Sequence, residues 1–246
     1  MSTGNRLDLV ATDWMATGLY YRVHPTLHPV RSGELLSPLE ANPASTARLA
    51  IRGDHSLGVA PRAMFYVATS PAAALFEALF RSPQMYPGRR VVVPRQRLQG
   101  MTLSTVRLLS SEPYVPLMKP DRGLVVHDAA KDAAWQWVVN TPNHADTHAA
   151  AIDVAVQFSS TIGYGGVARM LPGFGYPSVQ CSSDSVFLQY DPPMRAAAWA
   201  VAKSVNLATE DGYRAVLLAL ADAGFAPVQQ PVMMESHDFD PPTGAI

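Results

Sequence analysis

Cysteine is nearly absent: the 246 residues hold one, Cys181. No intramolecular disulfide can form, and no structural zinc site built from several cysteines. Charge is scarce as well. The 19 Lys and Arg against 20 Asp and Glu leave a net charge of −1. Charged residues make up 16% of the chain, below the roughly 25% of an average domain. A dedicated nucleic-acid binder usually carries a strong basic excess, so that class is not expected. With 48% apolar residues, disorder is not expected either. Long hydrophobic runs are missing: none reaches the 18 residues that suggest a membrane span. The opening MSTGNRLDLVATDWM lacks the basic start and apolar run of a signal peptide. The expectation is a cytoplasmic globular protein, long enough to bury roughly 70–75% of its unfolded surface.

What the sequence does hold is a mixture of short strands and helices. Residues 18–24, 63–68, 90–94, 102–109 and 185–190 have the aromatic and branched composition of strands. Residues 25–62 are rich in Pro, Gly, Ser and Arg and read as one long irregular segment; so do 110–127. Ser70 followed by Pro71 marks a helix start, with the helix running to about Arg81. Further helices are expected at 128–139, at 143–160 with Asn143 as cap, at 193–204 and at 209–224. The glycine-rich stretch 162–178 reads as turns around one short strand. Strand and helix do not alternate regularly, which predicts an α+β fold: a small mixed sheet with flanking helices, plus C-terminal helices. Residues 1–192 are expected to form the main domain, with 193–246 a helical extension packed on it.

Several residues invite a chemical reading. Gly163, Gly165 and Ala168 fit a loose dinucleotide fingerprint, but a helix rather than a strand precedes them, so the motif lacks its context. His144 and His148 are spaced to chelate a metal from a helix, yet Ala145 stands where a zinc protease has Glu; two exposed histidines and no metal site are the expectation. Glu77 is the sole charge between Pro71 and Arg81, in the apolar run PAAALFEALF. It either faces solvent or works in a site, because a buried lone carboxylate is costly. Arg22, inside LYYRV, sits on a wet face or holds an anion; without further context the wet face is expected. Tyr66 reads as a core aromatic with its hydroxyl satisfied.

Together these elements resemble the RES domain family over roughly residues 18–190. The resemblance is carried by Tyr20-Tyr21-Arg22-Val23 and by Phe65-Tyr66-Val67-Ala68-Thr69-Ser70-Pro71. It continues in Ala74-Leu75-Phe76-Glu77-Ala78-Leu79-Phe80-Arg81, in Thr141-Pro142-Asn143-His144, and in Gly173-Phe174-Gly175-Tyr176-Pro177-Ser178 before Val186-Phe187-Leu188. The family's usual Gly-Arg-aromatic-Asn motif has no clean copy here. Arg52 is the nearest candidate by spacing and Arg48 the next; Ser182 and Ser183 lie near Ser178.

The resemblance implies a fold like that of diphtheria-toxin-type ADP-ribosyltransferases and an enzyme that consumes NAD⁺. That enzyme would be a glycohydrolase or phosphorylase or, alternatively, an ADP-ribosyltransferase acting on a protein or a decayed interaction protein. It implies a bacterial toxin or effector with an antitoxin or immunity protein as partner, and NAD⁺ as substrate rather than cofactor. The implied catalytic residues are Glu77, Arg22 and Ser178, with Arg22, Arg52, Tyr66, Tyr21 and Ser178 binding the substrate. The C-terminal helices would cover the core, mediate a homodimer or dock a partner.

Overall fold

In a computed structural model, the structure describes residues 12–14, 18–45, 47–80, 85–117, 144–160, 173–178, 180–181 and 183–229. Arg81, Asn143, Ser182, the helix expected over 128–139 and the 163–168 glycine pattern lie outside them.

The strands are β1 (Thr12–Trp14), β2 (Leu19–Pro25), β3 (Ala63–Ala68), β4 (Met85–Tyr86), β5 (Arg90–Val93), β6 (Met101–Leu108), β7 (Glu112–Pro116), β8 (Gly173–Pro177), β9 (Ser185–Asp191), β10 (Trp199–Asn206) and β11 (Ala226–Gln229). The helices are α1 (Pro71–Ala78), α2 (His144–Ser160) and α3 (Glu210–Asp222). Among the described residues the main sheet has eight strands in the order β1-β7-β8-β9-β3-β2-β6-β10, and β11-β5-β4 form a second sheet. Most neighbours are antiparallel; β7–β8 and β5–β11 are parallel. The architecture is a mixed α+β fold.

Strand alternation explains the burial on both faces of the main sheet. Met64 and Ala68 of β3 join Tyr176, Leu188 and Tyr190 in the core beneath α1, with Tyr66 packed against it. Phe65 and Val67 point the other way, into a smaller cluster with Tyr20, Val106, Phe187 and Trp199. Helix α1 is buried on several sides along Ala72–Phe76, and the small side chains of Ala72, Ala73 and Ala74 let its neighbours approach closely. Its Phe76 ring lies 4.8 Å from that of Phe225, which follows α3.

Two elements correct the sequence reading. The helix expected over 193–204 is a short turn at Ala196–Ala198 followed by strand β10. Alanine favours helix locally, but pairing with β6 along Trp199–Asn206 and a bond from the Trp199 indole N–H to Gln189 Oε1 (3.0 Å) override that preference. The segment 110–127, read as loop because of its prolines, contains β7. Pro113 and Pro116 lie in a strand that pairs with the short strand β1 and, in parallel, with β8.

Candidate functional site

The site begins with an incomplete strand pair. β2 pairs with β6 from Leu19 to Pro25, and β3 pairs with β9 from Ala63 to Ala68. Between β2 and β3 there is one register pair, Tyr21 with Ala68. Farther along β3, at Met64, the strand edge is taken by Asn42 from the long 25–62 segment, through two backbone bonds of 2.8 and 3.0 Å. The strands part there, and a cleft of about 220 Å³ opens. Residues 21–25 of β2 line one side and Met64 and Tyr66 of β3 the other; Asn42, Ser45 and Ala47 of the long segment lie along the rim.

Helix α1 supplies a carboxylate. Ala74, Glu77 and Ala78 all line the cleft, as the i, i+3, i+4 spacing of one helical face dictates. The helix start is pinned twice. Ser70 Oγ accepts from the Ala73 amide (3.1 Å) and donates to Asp184 Oδ2 (2.7 Å). Thr69 donates to the same carboxylate at 3.2 Å, ahead of β9. Glu77 is half-buried rather than solvated. The Tyr176 hydroxyl donates to its Oε2 at 3.4 Å.

Arg22 is buried, with 2% of its surface exposed, which corrects the wet-face expectation. It shares a strand face with Tyr20 and His24, and Phe65 lies under its guanidinium, 4.4 Å from Cζ to the ring centroid. Nη1 donates to the Pro38 carbonyl at 2.8 Å. Burial pulls the guanidinium down to about 9, against the opposing charge of Glu40, so Arg22 stays cationic at neutral pH. A guanidinium has five donors. The Pro38 carbonyl takes one of these, and Arg22 is among the residues that line the cleft.

Beside Arg22, His24 Nδ1 donates to the Pro25 carbonyl (2.9 Å), so Nε2 accepts from the Ser104 hydroxyl (2.9 Å). Burial and the charge of Arg22 hold this imidazole down to about 4, neutral at physiological pH.

The wall opposite β2 is clamped by hydroxyls. Tyr66 donates to the Arg48 carbonyl, and Tyr190 donates to the Leu49 carbonyl at 2.7 Å. The Leu49 amide donates to Thr147 Oγ1 at 3.3 Å. Leu49 has φ +63°, a left-handed conformation that a branched apolar residue holds only when its surroundings fix it. His148 Nε2 donates to the Ala47 carbonyl at 3.1 Å; it is half-buried and ties α2 to this wall instead of facing solvent. Among the described residues no three His, Cys, Asp or Glu side chains are grouped to hold a metal.

Of the residues named from the sequence, the cleft brings together Glu77, Arg22, Tyr66 and Tyr21. It does not bring in Ser178 or Arg52. Ser178 is buried, and its hydroxyl accepts from the Cys181 amide at 3.3 Å inside the turn before β9. Arg52 is exposed on the long segment and does not line the cleft. Arg48, the second choice by spacing, is the arginine whose charge acts on the Tyr176 hydroxyl together with that of Glu77. Tyr176 itself carried no chemical signal in the sequence: 99 positions separate it from Glu77.

No family model matches this chain, and no curated protein matches it. A chain of the crystal structure of the M. tuberculosis MbcT–MbcA toxin–antitoxin complex is similar to it. The similarity covers 84% of this chain and 91% of that one, at 15% sequence identity and a TM-score of 0.47.

Proposed function

We propose that this chain is an NAD⁺-consuming enzyme that cleaves the nicotinamide–ribose bond, with water or phosphate as acceptor. The observation that carries the reading is that a carboxylate on α1 and a buried, cationic arginine on β2 both line one cleft, with aromatic side chains beside them. NAD⁺ offers the complementary groups: a pyrophosphate, a flat cationic ring and a ribose that gains positive charge as the ring departs.

In this reading Arg22 binds a pyrophosphate oxygen through its remaining N–H donors. Tyr66 and Tyr21 hold the nicotinamide ring. Glu77 stabilises the oxocarbenium-like ribose and accepts a hydrogen bond from a ribose hydroxyl. The C–N bond breaks with its electron pair on nicotinamide, which leaves neutral. Water then adds to the ribose C1 and releases one proton, giving ADP-ribose; phosphate in place of water gives the 1″-phosphate. The resemblance of the Tyr66–Arg81 sequence block to RES proteins supports a toxin or effector role with an antitoxin or immunity partner.

The test is chromatography of NAD⁺ incubated with purified protein, with and without phosphate. Nicotinamide together with ADP-ribose or its 1″-phosphate is expected. Modified protein in cell extract, without either free product, would replace this reading with protein ADP-ribosylation.

A further inference from the structure

We propose that Tyr176 serves the cleft as a positioning residue: its hydroxyl orients the carboxylate of Glu77. The proposal rests on the NAD⁺ reading and deepens it, since it assigns to the 173–178 segment a residue other than Ser178.

Tyr176 lies on β8 opposite Val186 of β9, with 1% of its surface exposed beneath α1. A tyrosine hydroxyl has one proton to give, and an ionised carboxylate only accepts. The competing neighbour is Tyr66, whose own proton goes to the Arg48 carbonyl. Tyr66 therefore offers Tyr176 only a lone pair, and the charged Glu77 oxygen is the stronger acceptor. Burial, and then the charge of Glu77, push the Tyr176 hydroxyl well above its ordinary value, so it remains a donor wherever the enzyme works. The 3.4 Å separation is at the long end for such a bond; catalytic hydrogen bonds often tighten when substrate binds. A carboxylate held in one orientation faces the developing ribose charge without reorganising during the reaction.

Ser178 does not line the cleft; its hydroxyl accepts from the Cys181 amide within its own turn.

The experiment compares wild type with Tyr176→Phe, which removes the hydroxyl and keeps the buried ring. The expected result is a kcat for NAD⁺ consumption about 10- to 100-fold lower, the loss of one hydrogen bond to a charged group. KM should change less than about threefold, because the contact is not made to substrate. The Glu77 side-chain carboxyl, followed by NMR with ¹³C-labelled glutamate, should titrate at higher pH in the variant, because a bond to its charged form is gone. Among the described residues, Tyr66 on β3 and Arg48 on the long segment act on Tyr176, Cys181 after β8 feels the charge of Glu77, and Arg22 and His24 line the same cleft. All are unaltered in the variant.

An active wild type with unchanged kcat and an unmoved Glu77 titration in Tyr176→Phe overturns the proposal. A folded wild type that leaves NAD⁺ intact overturns the reading beneath it, while the Glu77 titration still reports the hydrogen bond. If the variant does not fold, the wild type decides: a slowly exchanging Tyr176 hydroxyl proton with a cross-peak to the Glu77 side chain is expected, and its absence overturns the proposal.

Discussion

Glu77 was visible in the sequence as the lone charge of an apolar helix; its direction was not, because Ala74, Glu77 and Ala78 could face solvent as easily as a cleft. Arg22 was visible in the same way. Its burial was hidden because the aromatic residues before it, Tyr20 and Tyr21, go to opposite faces of β2 and so do not mark either face as wet. Ser178 was the more attractive residue locally, but it is not among the residues that line the cleft. Ser178→Ala should therefore keep NAD⁺ consumption within about twofold of wild type and lower stability by only ~1 kcal/mol, the worth of one hydrogen bond. A loss of turnover in a folded Ser178→Ala protein would return the serine to the site. His24 gives a pH signature. Its folded value of about 4 lies below the ordinary 6.5. As pH falls through 6.5 the unfolded chain takes up a proton that the folded chain refuses, so stability drops until about pH 4. Between pH 7.5 and 5 this group contributes a loss of about 2 kcal/mol. Urea unfolding at the two pH values should show it, and His24→Asn should lose that part of the dependence.

At the scale of elements, the start of α1 sets the direction of Glu77. Ser70 with Pro71 was legible as a cap from two adjacent residues, because capping is local chemistry. The second anchor, Asp184, was not legible: it precedes β9, the strand beside β3, and lies 114 positions away. Ser70→Ala removes both bonds at once. Stability should fall by about 1–2 kcal/mol, and a calorimetric unfolding midpoint equal to wild type would show that the cap does not hold the helix. β10 teaches the converse. Its alanines pointed to helix, and only the partner strand β6, about a hundred positions earlier in the register, makes it a strand. Local signals found α1, β2, β3, β6 and β9; the elements misread were those defined by a distant partner.

At the scale of the whole molecule, the cleft is a consequence of topology. Two fully paired strand couples, β6–β2 and β3–β9, meet at a single register pair, and the long segment from 25 to 62 occupies part of the gap. That segment looked merely irregular in the sequence, since its order comes from hydroxyls on β3, β9 and α2 rather than from its own periodicity. The arrangement brings a cation and a carboxylate to one cleft without any local motif that spans both. The most direct test is NAD⁺ consumption by wild type and by Glu77→Gln, each shown to be folded, in water, in phosphate and with cell extract. The account predicts nicotinamide release by wild type and a rate at least about 100-fold lower for Glu77→Gln. NAD⁺ left intact by wild type in all three conditions, or equal turnover by Glu77→Gln, would contradict it.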